Sequence, residues 1–466
     1  MMASMIRFSS LSLLSLMGLV LTACALPDPI KSSELKQQAM PHVVMPDQYG
    51  SLNSTKQTNA AIQNVPWLQA FNDEELQDLV RLALAQSPDL KIMAARQEQS
   101  EAMMRAVGGA FYPNVGVSAK TGSKVGVDGS GTSGYYIGAG WELDLWGRVR
   151  ASYAAAEQNS QSIKADQEYA KLSFIAQLTK AVWTARVLRQ QADLAQENLQ
   201  SQQQILEHVK HRLQIGAASE NEVLQTDMSV SQAQEVFLNL KNALDQSLRS
   251  IDILVGRYPI ATPLKAKDLP HVPASLATGI PSELLERRPD VRAAAARVDA
   301  ARYNIKEAEA TRLPKISLTA GFGRASSDLF VLQTNAANPS TGVGVTLPLF
   351  AGGALEERVQ LKKSELEQAF ASYAKVGLNA LKEVESALSA EQMWQIRSKQ
   401  SSQVFQHQQQ VMRNTEAEFK IGRIDQRQVL QQKIRTNNAQ SSDWQGRLEL
   451  LMQRVNLYLS LGGSAI

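Results

Sequence analysis

Residues 171–199 read KLSFIAQLTKAVWTARVLRQQADLAQENL, within a longer run, 149–215, that contains neither proline nor glycine. Apolar or small residues recur there at alternating steps of three and four: Ile175, Leu178, Val182, Ala185, Leu188, Ala192, Ala195 and Leu199. Such a seam is typical of a helix that packs lengthwise against other helices. At 1.5 Å per residue, a helix over the whole run would be roughly 100 Å long. The pattern therefore predicts a rod-like helix that is far longer than the helices of most globular domains.

The segment before this helix has the two-residue period of β-strands. In 113–121 and 135–145, apolar or small residues occupy every second position, and the positions between them are mostly polar or glycine. A stretch rich in glycine and serine, 122–134, joins the two segments. Together they predict a β-hairpin over about 112–146, followed by long helices over 149–215 and 219–255.

The same plan occurs twice in the chain. Pro88 recurs as Pro289, offset by 201 positions, and Gly216 recurs as Gly422, offset by 206. A period near 200 is too long for a solenoid and indicates a duplicated half. The predicted halves are 65–256 and 289–466, joined by a linker over 257–288. The second half repeats the elements of the first, with a hairpin over about 314–350 and long helices over 354–420 and 424–461.

The N-terminus has the pattern of an export signal. Arg7 precedes a short apolar run, 11–21, which is too short for a transmembrane helix and is typical of a signal peptide. The sequence Leu-Thr-Ala-Cys at 21–24 resembles the lipobox of bacterial lipoproteins. It predicts that 1–23 is removed and that Cys24, the only cysteine in the chain, carries a covalent lipid. The alternative is an ordinary signal peptide with a chance cysteine. A linker, 24–64, rich in proline, serine and glutamine, is expected to be extended.

Composition and motifs give no indication of catalysis or of nucleic-acid binding. A formal net charge of +3 provides no argument for a nucleic-acid partner, and the low aromatic content of 6% fits coiled-coil helices. His208 and His211 are three positions apart but lack a third convergent ligand, so no metal site is predicted. No nucleotide motif and no nucleophile motif is present, so we expect neither an enzyme nor a cofactor other than the lipid.

Four amphipathic strands per chain would not form a closed structure on their own. An open sheet cannot lie in lipid, because the backbone groups at its edges would have no partners. Two copies would give eight strands, and three copies would give twelve strands and a possible channel. Glycines on the polar faces favour the open channel, and we expect four charged residues to face its lumen: Lys120, Glu142, Asp144 and Lys315.

Several stretches resemble a known family. GIPSELLERRPDVR (279–292) is similar to the signature linker of the TolC-like outer membrane factors, specifically the NodT/OprM-type efflux lipoproteins. WELDLWG (141–147), LPLFAGG (347–353) and VNLYLSLGG (455–463) support the resemblance, which covers essentially the whole mature chain. It implies a mixed α and β membrane protein, a homotrimer with a twelve-stranded outer-membrane β-barrel continued by a long coiled-coil helical tunnel across the periplasm. The implied partners are a periplasmic adaptor protein and an inner-membrane pump of the RND type.

The resemblance also assigns roles to the ends of the long helices. Two helix-turn tips would dock the adaptor: Ile215, Gly216 and Ala217 in the first half, and Ile421, Gly422 and Arg423 in the second. The gate candidates are Asp425, Arg427 and Arg212. For Asp425, a helix cap is an equally open interpretation. Relatives often have a tyrosine before the tip glycine, where this chain has Leu213 and Phe419.

The resulting hypothesis is a passive outer-membrane exit duct for small toxic molecules in a tripartite efflux system. Two alternatives remain open at this point. The same duct could serve a type I protein-secretion pump, or the chain could be a structural lipoprotein that spans the periplasm without a pore. Four alternating strands argue against the second alternative.

Overall fold

The computed structural model of the chain describes residues 26–46, 48–51, 66–120, 132–273, 281–327 and 338–463. The elements in chain order are α1 (Ser32–Ala39), α2 (Trp67–Ala70), α3 (Glu74–Gln86), α4 (Pro88–Gly108), a 3₁₀ turn (Gly109–Phe111), β1 (Asn114–Lys120), β2 (Thr132–Leu143), α5 (Arg148–Gln214), α6 (Glu220–Val255), α7 (Pro281–Arg287), α8 (Pro289–Ala310), β3 (Lys315–Ser327), β4 (Asn338–Thr346), α9 (Ala354–Lys420) and α10 (Gln426–Ser460). Helices therefore dominate, and all four strands belong to one sheet. The predicted mixed α and β fold is confirmed.

The two long helices have the same length, 67 residues each. Arg148–Gln214 and Ala354–Lys420 begin and end within one residue of the predicted bounds. Both stop just before a glycine with φ of +75°, a left-handed conformation that glycine adopts without steric cost. Within the described residues, none of the helices is both long and apolar enough to cross a membrane.

The N-terminal segment differs from the predicted extended linker. Part of 24–64 is helical in α1, and the residues before α1 are held on α8. The hydroxyl of Tyr303 donates to the carbonyl of Pro27 (2.9 Å), and the backbone N–H of Ile30 donates to Oδ1 of Asp299 (2.9 Å). Composition gave no indication of these contacts, because the partner side chains lie more than 260 positions later in the sequence.

The sheet has the order β1-β2-β3-β4, and all neighbouring strands are antiparallel. Its centre is the long β2–β3 ladder, which joins the hairpin of the first half to that of the second. The observed strands have 7, 12, 13 and 9 residues. Within the described residues, each of β1 and β4 has one neighbouring strand, so both edges of the sheet have backbone groups available to pair with another chain.

The register aligns the alternating residues of all four strands on two contrasting faces. Directly opposite residues share a face, so the pairing of Val117 with Ile137 and of Ile137 with Phe322 joins the apolar positions of three strands. The apolar face carries Val115, Val117, Ile137, Trp141, Leu318, Phe322, Val343 and Val345. The polar face carries Gly138, Gly140, Glu142, Lys315, Ser317, Thr319, Gly342 and Gly344. A sheet of this type suits lipid on one side and water on the other.

The chain divides into two compact units that cut across the predicted halves. One unit contains Ala95–Asp166 and Asp290–Val376 with the described residues up to Val43, and it holds the sheet. The other contains Val44–Ala94, Gln167–Pro289 and Gly377–Ile466. Each unit therefore draws on both sequence halves. The duplication is a feature of the sequence and does not define the compact units.

The second unit contains a large hydrophobic core. Trp183 of α5 is completely buried and meets the ring of Phe71 edge-to-face at 4.8 Å between centroids. Trp67 stacks on Tyr458 of α10 at 5.8 Å. Aromatic pairs of this kind contribute about 0.5–1.5 kcal/mol beyond the burial of their area. Residues from α2, α3, α5, α6 and α10 thus share one core.

Candidate functional site

The helix-turn tips have the same backbone geometry in both halves. At the first tip, the N–H of Ala217 donates to the carbonyl of Arg212 (2.7 Å), and that of Gly216 to Leu213 (3.0 Å). At the second tip, the N–H of Arg423 donates to Glu418 (2.9 Å), and that of Gly422 to Phe419 (2.9 Å). This pattern of two bonds around a left-handed glycine is the Schellman motif. Both tips are therefore tight turns between antiparallel helices, each held by two backbone hydrogen bonds.

The return helices begin with side-chain caps. Oγ of Ser219 accepts a hydrogen bond from the N–H of Glu222 (3.2 Å), and Oδ1 of Asp425 accepts one from Gln428 (3.0 Å). The structure therefore supports the interpretation of Asp425 as a helix cap, which contributes about 0.5–2 kcal/mol. Its other oxygen, Oδ2, lies 3.8 Å from Nε of Arg427. A cap and a charged contact coexist in this residue.

Glu222 forms the centre of an ion cluster that joins the two tips. Its Oε1 lies 3.3 Å from Nη1 of Arg212 at the end of α5 and 3.0 Å from Nη1 of Arg427 in the first turn of α10. Arg212 also donates through Nη2 to the carbonyl of Ala217 (2.7 Å). The three charged side chains are 31–39% exposed, so water and salt screen the cluster partly. We call Arg212, Glu222 and Arg427 the tip cluster.

The structure thus brings together two of the three gate candidates through a residue that the sequence did not single out. Arg212 and Arg427 meet at Glu222, while Asp425 lies at the edge of the cluster. The spacing Ser219-x-x-Glu222 has the pattern of a capping box, but the carboxylate binds the two arginines instead. Arg423 is exposed.

Apolar side chains are exposed beside the tip cluster. Ile215 and Ile421, one at each tip, are both 67% exposed, and Leu224 and Phe419 are also exposed. Single exposed apolar residues are ordinary on protein surfaces. Four exposed apolar residues near the two tips are available for contact with another protein.

A second charged cluster lies at the base of the sheet. Glu142 accepts hydrogen bonds from Nε and Nη2 of Arg148 (both 2.8 Å), and its Oε2 lies 3.0 Å from Nζ of Lys315. Glu307 of α8 lies 3.7 Å from Arg148 and 3.4 Å from Arg358. Glu142 is therefore ion-paired on both sides, which reduces its field in a lumen compared with that of an isolated carboxylate.

The predicted lumen position of Asp144 requires a correction. Strand β2 ends at Leu143, and the carboxylate of Asp144 instead caps α5. It accepts from the backbone N–H of Val149 and of Arg150, each at 2.9 Å, and from Nε of Arg150 at 3.1 Å. Four N–H groups at the start of a helix have no intrahelical acceptor, and this explains why the carboxylate turns toward them.

Two further predicted residues are Lys120 and Cys24. Lys120 ends β1 opposite Gly134, but its side chain is outside the described part of the chain. Cys24 also lies outside the described residues. Within the described ranges, no group of three or more His, Cys, Asp or Glu side chains is arranged to hold a metal ion.

Comparisons with known proteins agree with this architecture. The profile of a family described as outer membrane efflux protein matches residues 79–257 and 280–463. The chain is 28% identical to the pyoverdine export outer membrane protein OpmQ of Pseudomonas putida, over 96% of each chain. It is similar to the solved outer-membrane channel OprN with a TM-score of 0.75 and 25% identity, over 90% of this chain and 97% of that one. The Campylobacter jejuni CmeC outer membrane channel shares the fold, with a TM-score of 0.78 and 22% identity over 94% of each chain.

Proposed function

Because this chain belongs to the outer membrane efflux protein family, we propose that it forms a homotrimeric exit duct that is closed at its helix tips in the resting state. The family consists of outer-membrane channels. The observation that supports a homotrimer is the open sheet, which has one apolar face and two edges without a neighbouring strand in the described part of the protomer. Pairing of β4 with β1 of the next copy satisfies both edges, and three copies give twelve strands around a water-filled lumen.

The proposed duct works with partners that supply energy and substrate. A periplasmic adaptor docks on the tips, where Ile215 and Ile421 expose apolar surface. An inner-membrane pump of the RND type delivers small toxic molecules through the adaptor. The similarity to a pyoverdine export protein supports a small-molecule cargo.

The tip cluster is our candidate for the resting closure. The cluster ties the end of α5 and the first turn of α6 to the first turn of α10, so separation of the helix pairs requires breaking the contacts of Glu222 with both arginines. A partly exposed ion pair contributes about 0.2–1 kcal/mol. Three clusters of about 1 kcal/mol each, opening together, would shift the balance between closed and open states by roughly 100-fold.

Single-channel conductance in planar bilayers tests this proposal. We expect the wild-type trimer to conduct weakly at rest and Glu222→Gln to raise the open probability by one to two orders of magnitude. Asp425→Asn, which keeps a helix-capping side chain, is expected to have a smaller effect because Asp425 lies at the edge of the cluster.

Glu220→Gln is the matched control, since it removes an exposed carboxylate two positions away. Equal conductance of Glu222→Gln and Glu220→Gln would contradict the tip cluster as the closure. Absence of any current from folded, inserted protein would contradict the duct itself and favour a structural tether.

We further propose that Cys24 carries the lipid anchor. The described chain begins two residues later, and its first residues are fixed on α8 by Tyr303 and Asp299. The Leu-Thr-Ala-Cys sequence at 21–24, similar to a lipobox, supports this assignment. We expect Cys24→Ala to abolish the incorporation of labelled palmitate, while Tyr303→Phe retains it. A mature chain in which Cys24 keeps a free thiol would contradict this assignment.

A further inference from the structure

The described part of the polar sheet face carries one aromatic side chain, Tyr136 of β2. Its ring lies across three glycines on β2 and β3, Gly138, Gly321 and Gly323, which we call the glycine seat. A Cβ atom added to Gly138 would be 2.5 Å from Cε1 of Tyr136, one added to Gly321 would be 1.9 Å from its hydroxyl oxygen, and one added to Gly323 would be 2.9 Å from Cδ2. Side chains at these positions would overlap the ring. The three glycines therefore allow the ring to lie flat on the backbone.

The seat uses both halves of the chain. Gly138 pairs with Gly321, and Tyr136 pairs with Gly323, across the central ladder of the sheet. The ring is thus held by one strand from each hairpin. Because it lies along the wall, it does not project into the space in front of the polar face.

The outer surface of the ring is open. Tyr136 is 46% exposed, although its inner side rests on the glycine seat. Strand β2 lies between β1 and β3, so copies that pair through β1 and β4 would leave Tyr136 uncovered. The faces of aromatic rings carry partial negative charge and attract organic cations and the edges of other rings.

We propose that Tyr136 is a binding platform on the lumen wall for aromatic organic cations that pass through the barrel. This inference rests on the proposed duct, because only a closed barrel turns the polar face into a lumen. A homotrimer presents three such platforms at one level. Each one holds a solute by stacking and by cation–π attraction, and the neighbouring glycines add no competing side chain.

Block of single-channel current by benzyltrimethylammonium, added from the extracellular side, tests the platform. Tyr136→Phe keeps the ring and the seat, whereas Tyr136→Leu covers the glycines without a π surface. We expect Tyr136→Leu to raise the half-blocking concentration about two- to fivefold and Tyr136→Phe to leave it unchanged. Unblocked conductance and trimer mobility on gels verify that both variants fold and insert.

Gly321→Ala provides an independent variant, because its Cβ occupies the position of the tyrosine hydroxyl and displaces the ring. It is expected to weaken the block while Tyr136 is still present. Equal half-blocking concentrations for wild type and Tyr136→Leu would overturn the platform alone, as would equal weakening by Tyr136→Phe and Tyr136→Leu. Absence of wild-type current would overturn both the platform and the duct.

Discussion

Replacement of Asp73 with alanine is expected to lower the free energy of unfolding of the second unit by about 3–5 kcal/mol. Asp73 holds the guanidinium of Arg186 with two bonds, Oδ2 to Nη1 at 2.6 Å and Oδ1 to Nη2 at 2.9 Å. The Arg186 side chain is only 2% exposed. Without Asp73, the buried guanidinium loses both of these charge-assisted bonds, and Glu75, at 3.0 Å from Nη2, compensates its charge only in part. The loss should therefore be large.

Asp73 also has two uncharged roles, which a conservative variant separates. Its Oδ1 caps α3 by accepting from the N–H of Leu76 (3.1 Å), and its Oδ2 accepts from Nε1 of Trp183 (3.0 Å). Asp73→Asn keeps a capping oxygen but removes the charge, so we expect an intermediate loss. The measurement is the urea dependence of helical circular dichroism in detergent. Glu74, an exposed neighbour in the first turn, provides the control. If Asp73→Ala lowered the free energy of unfolding no more than Glu74→Ala does, the contacts of Asp73 would not provide the expected stabilisation.

The pH dependence provides a further check on the same network. Burial alone would raise the pKa of Asp73, but the hydrogen bonds and charge of Arg186 outweigh it and lower the pKa below the ordinary value. Ionised Asp73 therefore stabilises the folded state above the unfolded pKa of about 3.9, and this stability is lost as the pH falls through the lower folded pKa. The stability difference between wild type and Asp73→Asn should be complete near pH 5 and shrink below about pH 4.

The second large effect is expected at Glu391, whose removal would take away the buried carboxylate that contacts Arg454. Oε1 of Glu391 accepts from Nε of Arg454 at 2.7 Å and also from Nη2. The two side chains are 8% and 2% exposed. Arg454 donates as well to the carbonyl of Pro273 (2.9 Å), but a carbonyl cannot neutralise its charge. We expect Glu391→Ala to cost about 3–5 kcal/mol in the same unfolding experiment.

A double variant separates two free energies: the cost of leaving a buried charge unpaired and the net contribution of the ion pair to stability. Desolvation opposes the attraction in a buried ion pair, so replacing both residues by apolar ones of similar size is often nearly neutral. We expect Glu391→Leu with Arg454→Met to be more stable than Glu391→Ala alone. A double variant that is destabilised by the sum of both single effects would show that the two residues contribute independently.

Local patterns predicted the elements of this fold well. Helical periodicity and the absence of proline and glycine specified α5 almost to the residue, and strand alternation specified the two faces of the sheet. Such patterns depend only on neighbours along one element. Tip glycines and the acidic residues at helix starts were visible for the same reason.

Contacts between distant elements were not visible in the sequence. Arg186 lies between seam residues of α5, and its burial is explained by the carboxylates of Asp73 and Glu75 at the start of α3, more than a hundred positions earlier. Glu222 is similar, since Arg427 approaches it from the other half of the chain. In the signature stretch, Arg288 is 1% exposed and donates to the carbonyl of Ser460 (3.0 Å), so the motif ties the chain to the end of α10. These assignments require a three-dimensional arrangement.

The ladder between β2 and β3 also determines the order in which the chain can fold. It joins residues that are 173 to 195 positions apart, from Leu143 opposite Ile316 to Thr132 opposite Ser327. Each hairpin can close quickly on its own, whereas the ladder must wait for the second hairpin and for the entropy cost of closing so long a loop. Until then, both hairpins expose apolar faces and unpaired edges. The period between export and closure of this ladder is therefore when the chain is most prone to aggregate and most in need of a chaperone.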